Sequence, residues 1–178
     1  MDPKPLFEAV GEYVLCFAWL ENVIWQTATF AKYPEQDHSG RWALLDFSFA
    51  ELVRTAEQAI PLFVDAWAPR QIARDFKRRV SDALDKCGDV RRQRNRFLHS
   101  AYVHLEAGGE LMAIMRSYIT WRGVETLDAP VFDQEIATPD AFRSAMKEVA
   151  EVGVEISACR LQLIHWYRRA DYGVQLPD

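Results

Sequence analysis

From Tyr13 to Ala31 the chain runs nineteen residues with a single charge, Glu21. An apolar run of that length either crosses a membrane or forms the centre of a helical domain. Glu21, Asn22, Gln26, Thr27 and Thr29 make it a poor membrane span, because each polar group would need a partner inside hydrocarbon. The run therefore reads as a buried central helix, apolar nearly all round, within a first helix from about Pro5 to Lys32. The turn-rich stretch Tyr33-Pro34-Glu35-Gln36-Asp37-His38-Ser39-Gly40 ends it.

A second helix is expected from about Phe47 to Trp67. Its interior Pro61 should kink or split it, since proline removes a backbone donor and its ring crowds the preceding turn. A third helix starts near Pro69 as a first-turn proline and continues to about His99, with Gly88 a point of bending. Phe76, Val80, Ala83, Leu84, Cys87 and Val90 share one face of it, which Phe97 and Leu98 continue. After Ser100 the period changes to two. Tyr102, His104 and Glu106 alternate with Val103 and Leu105, and Gly108-Gly109 precedes Leu111 to Arg116, the pattern of a β-hairpin over about 101–117. Tyr118 to Glu135 reads as irregular, with Pro130 as a breaker and room for one more short strand. The last helix is punctuated by Thr138 as N-cap, Pro139 as first helical residue and Asp140 in the first turn, and its pattern runs through Tyr167. The expectation is mainly α: one domain over 1–178, an antiparallel bundle of four to five helices with a small β-hairpin before the last long helix.

At 178 residues with 49% hydrophobic and 26% charged, the balance is that of an ordinary globular domain. Cys16, Cys87 and Cys159 are far apart, odd in number and set in apolar helical contexts, which fits reduced core thiols and a cytoplasmic setting. No secretory leader pattern opens the chain and no cluster has metal-ligand spacing, so no membrane, metal or cofactor is expected. The net charge of −5 argues against coating nucleic acid by bulk attraction. The distribution is uneven, however. From Arg70 to Arg96 ten basic residues face four aspartates, a local +6 that leaves −11 elsewhere. Such a run is either a solvated helix face or a concentrated anion-attracting field.

Within that field, Arg94 falls on the apolar face, four residues after Val90 and four before Leu98. A charge held against a packed interior needs a partner. Glu21, the only charge between Glu12 and Lys32, is the natural one, so an ion pair from Glu21 to Arg94 is expected as a structural link. Asn95 and His99 are four apart, and Arg92 lies seven before His99, so these three line a neighbouring, wetter face.

Arg94-Asn95-Arg96-Phe97-Leu98-His99 resembles the signature of the HEPN superfamily, in which arginine is followed by a polar residue and, four to six positions later, by histidine. The likeness extends to the long first helix with one acidic residue in Phe17-Ala18-Trp19-Leu20-Glu21, and to the hairpin and final helix after the motif. Many HEPN proteins are metal-independent ribonucleases that work as dimers, with two motif copies facing across the interface. The resemblance then implies His99 as general acid-base, Arg94 as stabiliser of phosphoryl charge and Asn95 as the group orienting histidine or substrate. Arg92 and Arg96 are candidates for backbone phosphate contacts. Chemically this is coherent: cleaving RNA through its own 2′-hydroxyl needs proton transfer near neutral pH and cationic donors for the phosphorane. The implied partners are a second copy, RNA or a nucleotide, and an antitoxin protein in a toxin–antitoxin or defence context.

Other readings of the same residues stay open. The module can be non-catalytic, binding a nucleotide, nucleic acid or protein partner through the basic face, or a scaffold in which Glu21 and Arg94 only hold the bundle. His99 can cap the helix C-terminus. His104 reads as a surface residue, His38 as solvated and His165 as a core or interface residue. A second arginine-to-histidine spacing, Arg160 to His165, lacks a following polar residue and reads as accidental. Trp19, Trp25, Trp42, Trp67, Trp121 and Trp166 are expected to pack the core rather than to stack on bases. Phosphate-loop, dinucleotide and serine-nucleophile fingerprints are absent.

Overall fold

The computed structural model describes residues 2–35, 42–120 and 131–171. Helix α1 spans Lys4–Lys32, α2 Phe49–Trp67, α3 Arg70–Leu98 and α4 Pro139–Asp171. Between α3 and α4 lie strands β1 (Ala101–Ala107), β2 (Glu110–Thr120) and β3 (Val131–Ile136). They form one antiparallel sheet in the order β1-β2-β3. The chain is thus mainly helical, with a small sheet inserted before the last helix.

Local chemistry accounts for the helix boundaries. Ser48 and Glu51 form a reciprocal capping box at the start of α2, Ser48 bonding the Glu51 N–H and the Glu51 carboxylate taking the Ser48 N–H at 2.7 Å. This moves the start of α2 two residues past the expected Phe47. Of the two effects expected at Pro61, a kink or a split, the split does not occur: α2 runs on through it, and buried Ile60, Phe63 and Val64 on either side fix the segment to the core. Pro69 stands as the N-cap of α3 rather than inside its first turn, and Gly88 lies within a continuous helix. Thr138 caps α4, its Oγ1 accepting from Ala141 N at 3.4 Å, and α4 continues four residues beyond the expected Tyr167.

The hairpin turns at Gly108 and Gly109, whose φ angles of 61° and 82° are the left-handed values a two-residue type I′ turn needs. Tyr118 belongs to β2, and β3 supplies the further strand; residues 121–130, with Trp121 and Pro130, lie outside the described residues, as does His38.

Helix α1 packs most extensively on α4 and α2, while α3 packs on the same two helices from the far side. Helices α1 and α3 therefore meet across the core through long side chains. Tyr13 of α1, fully buried, packs edge-on against Phe97 of α3 and Phe142 of α4, with centroids at 5.2 and 6.0 Å. Cys87 and Cys159 are buried and Cys16 partly so, and all three are free thiols.

One expectation about α1 fails. The helix is not buried all round: Phe7, Val14, Leu15 and Trp19 are exposed, because among the described residues α1 packs mainly on α2 and α4 and the arc opposite them is left to solvent. Trp19 lies over α4 where Gly153 leaves room for its ring. Trp166 is core and Trp25 and Trp67 half-buried, but Trp42 is exposed, so the tryptophans do not share one role.

Candidate functional site

Helix α3 carries its cations to a terminus that the sheet closes. His99 is the C-cap, with φ −104° and ψ 14°, and its N–H donates to the Asn95 carbonyl at 3.0 Å. The last carbonyls of a helix have no partner inside it. Here the Ser100 hydroxyl donates to the Arg96 carbonyl, and the Tyr102 hydroxyl donates to the Phe97 carbonyl at 2.7 Å. Ser100 and the β1 residue Tyr102 thereby fix the turn that carries His99.

Three motif residues come together on that turn. Arg94 Nη1 donates to Asn95 Oδ1 at 3.1 Å and lies 3.4 Å from His99 Nε2. A guanidinium has donors only, so the His99 contact is a hydrogen bond when Nε2 accepts and Nδ1 carries the ring proton. Asn95 and His99 are exposed and Arg94 half-buried, so the cluster faces solvent with one member rooted in the interior. The root is aromatic: the Arg94 guanidinium stands 5.5 Å from the Phe17 ring centroid on α1.

The expected ion pair does not form. Among the described residues Glu21 has no salt bridge, and Arg94 stops one helical turn short of it, over Phe17. Phe17 stands four residues before Glu21 and offers a π face to the guanidinium, while Asn95 and His99 take one of its N–H arms. Glu21 instead lines an open groove of about 430 Å³ with Asn22, Trp25, Leu45 and Phe47.

Arg92 and Arg96 diverge from the cluster. Arg92 is exposed and pairs with Asp89 one turn back on its own helix. Arg96 lies 4.4 Å from the Tyr118 ring centroid and donates to the Tyr118 hydroxyl. Both are exposed, but Arg96 is held toward the sheet. His104 is exposed, as expected. His165 is exposed too, beside Arg169 at 3.5 Å, which removes the core half of its core-or-interface reading: it follows Ile164 and precedes buried Trp166 on a helix whose outer face it occupies.

Sequence reasoning missed Arg116. It is 4% exposed, forms an ion pair with Glu135 on β3, and sits 4.3 Å from the Phe97 ring centroid and 5.3 Å from that of Tyr118. Burial lowers its pKa, and neighbouring Arg96 pushes the same way. Tyr102, Arg116 and Glu135 are cross-strand neighbours in register, so one row of the sheet meets the end of α3. A signal existed in the sequence: Arg116 is two residues after Ile114, hence in the inward phase of its strand. Tyr13 is the other buried polar group here. Burial raises its pKa strongly, against a smaller opposite pull from Arg94, so its hydroxyl stays protonated.

Among the described residues no group of histidine, cysteine and carboxylate side chains could hold a metal ion, and no helix is long and apolar enough to cross a membrane. What the cluster offers is an imidazole, a guanidinium and an amide on one solvent-facing turn. Comparison of the chain with protein-family models, with curated proteins and with solved structures found no match.

Proposed function

We propose that this protein is a metal-independent endoribonuclease of HEPN type that works as a dimer. The observation that carries the reading is the contact of Arg94 Nη1 with both Asn95 Oδ1 and His99 Nε2 at the open end of α3. In RNA cleavage the ribose 2′-hydroxyl attacks the adjacent phosphorus while a base removes its proton. A donor neutralises the equatorial oxygens, and an acid protonates the departing 5′-oxygen. His99 serves as base or acid, and Arg94, with its guanidinium oriented by Phe17 and Asn95, stabilises the phosphorane. Each copy has one such histidine, and two copies supply both proton-transfer roles. Arg92 and Arg96 contribute attraction for flanking phosphates. A toxin–antitoxin or defence setting, with an antitoxin protein covering this basic end, is part of the same reading.

The test is cleavage of mixed RNA in excess chelator by the full chain, His99→Ala and Arg94→Ala, each checked for folding by circular dichroism. The expected result is cleavage leaving 2′,3′-cyclic phosphate ends, lost in His99→Ala and reduced by about 100-fold or more in Arg94→Ala. Cleavage unaffected by His99→Ala, or none under any condition, overturns the reading.

A further inference from the structure

Five positions of α1 follow a strict spacing of four and three: Phe7, Gly11, Val14 and Ala18, which are exposed among the described residues, and half-buried Glu21, which with Ala18 borders the groove walled by Leu45, Phe47 and Leu52. That is the repeat that keeps one seam of a helix facing another helix. Phe7 is 58% and Val14 40% exposed, Leu15 flanks them at 72%, and a methyl group added at Gly11 would meet nothing within 4 Å. From Phe7 to Ala18 the seam is exposed, uncharged and alternates large with small side chains, and it ends at Glu21 in the groove.

We infer that this face of α1 packs antiparallel against α1 of a second copy, about a two-fold axis between Gly11 and Val14. In that register Phe7 of one copy meets Ala18 of the other and Gly11 meets Val14, so every large side chain faces a small one. An isologous interface demands this self-complementarity, which few registers of one sequence satisfy. The same register sets Lys4 opposite Glu21. Glu21 has no ion-pair partner among the described residues and lines an open groove, while Lys4 reaches only exposed Glu8, at 3.8 Å. The second copy therefore completes a charge that the single chain leaves unpaired. Because α1 is already ordered by α2 and α4, a contact of about 26 Å, from Lys4 to Glu21 at 1.5 Å per residue, forms without the cost of folding a helix.

The axis is level with Tyr13, the α1 residue that packs on Phe97 and lies beside Arg94. Both motif helices thus reach the same level of the pair. The inference rests on the dimer of the proposed function and gives it an interface on α1, without resting on RNA cleavage itself.

The experiment is sedimentation velocity of the full chain across the micromolar range, with Val14→Asp, Phe7→Ala and the size swap Phe7→Ala/Ala18→Phe. These positions are exposed, and unchanged circular dichroism confirms that folding is intact. The expected outcome is a dimer that Val14→Asp and Phe7→Ala each weaken by roughly tenfold or more, and that the size swap restores. Reversing Lys4 or Glu21 alone weakens it, and the double reversal Lys4→Glu/Glu21→Lys recovers it. A monomer throughout, a dimer indifferent to Val14→Asp, or a size swap as weak as Phe7→Ala overturns the inference. A dimer of this kind without RNA cleavage removes the nuclease reading alone; cleavage by a dimer indifferent to Val14→Asp removes only this one.

Discussion

Replacing Gly153 with alanine should change sign with its neighbour. In the native chain a Cβ at Gly153 would lie 2.5 Å from Trp19 Cη2 and closer still to Cζ3, so the ring must move. Overpacking of this kind costs about 1 to 3 kcal/mol. Trp19 is 40% exposed and can swing outward, which puts the cost near the middle of that range. Alanine in a helix interior recovers about 0.5 to 1 kcal/mol over glycine. The net expectation is destabilisation by about 1 kcal/mol, a fall in Tm of about 2 to 4 °C for a domain of this size. With Trp19→Ala already in place the clash is gone, and Gly153→Ala should stabilise by about 0.5 to 1 kcal/mol. Thermal and urea unfolding of the four proteins at one fixed concentration reads both signs. Stabilisation by Gly153→Ala in the native background, or the same sign in both backgrounds, would refute the idea that Gly153 makes room for Trp19.

Glu135→Gln removes the counter-charge of buried Arg116 and should cost about 1 to 3 kcal/mol in urea unfolding, below the fully buried case because Glu135 is half in solvent. Adding Arg116→Met should recover part of that loss; a further loss would show that Arg116 is held by its stacking on Phe97 rather than by Glu135. Tyr102→Phe deletes the hydroxyl that closes the Phe97 carbonyl and should lower stability by about 1 kcal/mol, an unchanged urea midpoint arguing against that cap. Burial raises the Cys87 thiol to about 12 from 9.0, so the unfolded chain releases this proton first. Stability from this group is complete below pH 9 and falls by about 1.4 kcal/mol per pH unit above it until the folded thiol also ionises. Accordingly, a thiol reagent at neutral pH should label Cys16 before Cys87 or Cys159, and equal rates for all three would contradict the burial seen here.

What the sequence decided by itself is what neighbours in the chain decide. Helices α1, α3 and α4, the Gly108-Gly109 turn and the Thr138 cap depend on periodicity, capping and left-handed φ, all of which act within a few residues. The placement of Arg94, Asn95 and His99 on the last turn of α3 is equally local, since helical spacing alone brings positions i, i+1 and i+5 to one end. Tertiary packing decided the partners. Glu21 and Arg94 looked complementary because each was the lone charge on an apolar face, yet Arg94 meets α1 one turn away, over Phe17, and the axial offset between two helices is not written in either one. Arg116 shows the same limit: an inward strand phase marks it as buried, but only the packing of the sheet on α3 names Phe97, Tyr118 and Glu135 as its surroundings. Burial on α1 shows the same limit: an all-apolar helix implies cover on every side, whereas the packing around it is a property of the assembled bundle, which among the described residues leaves Phe7, Val14 and Leu15 exposed.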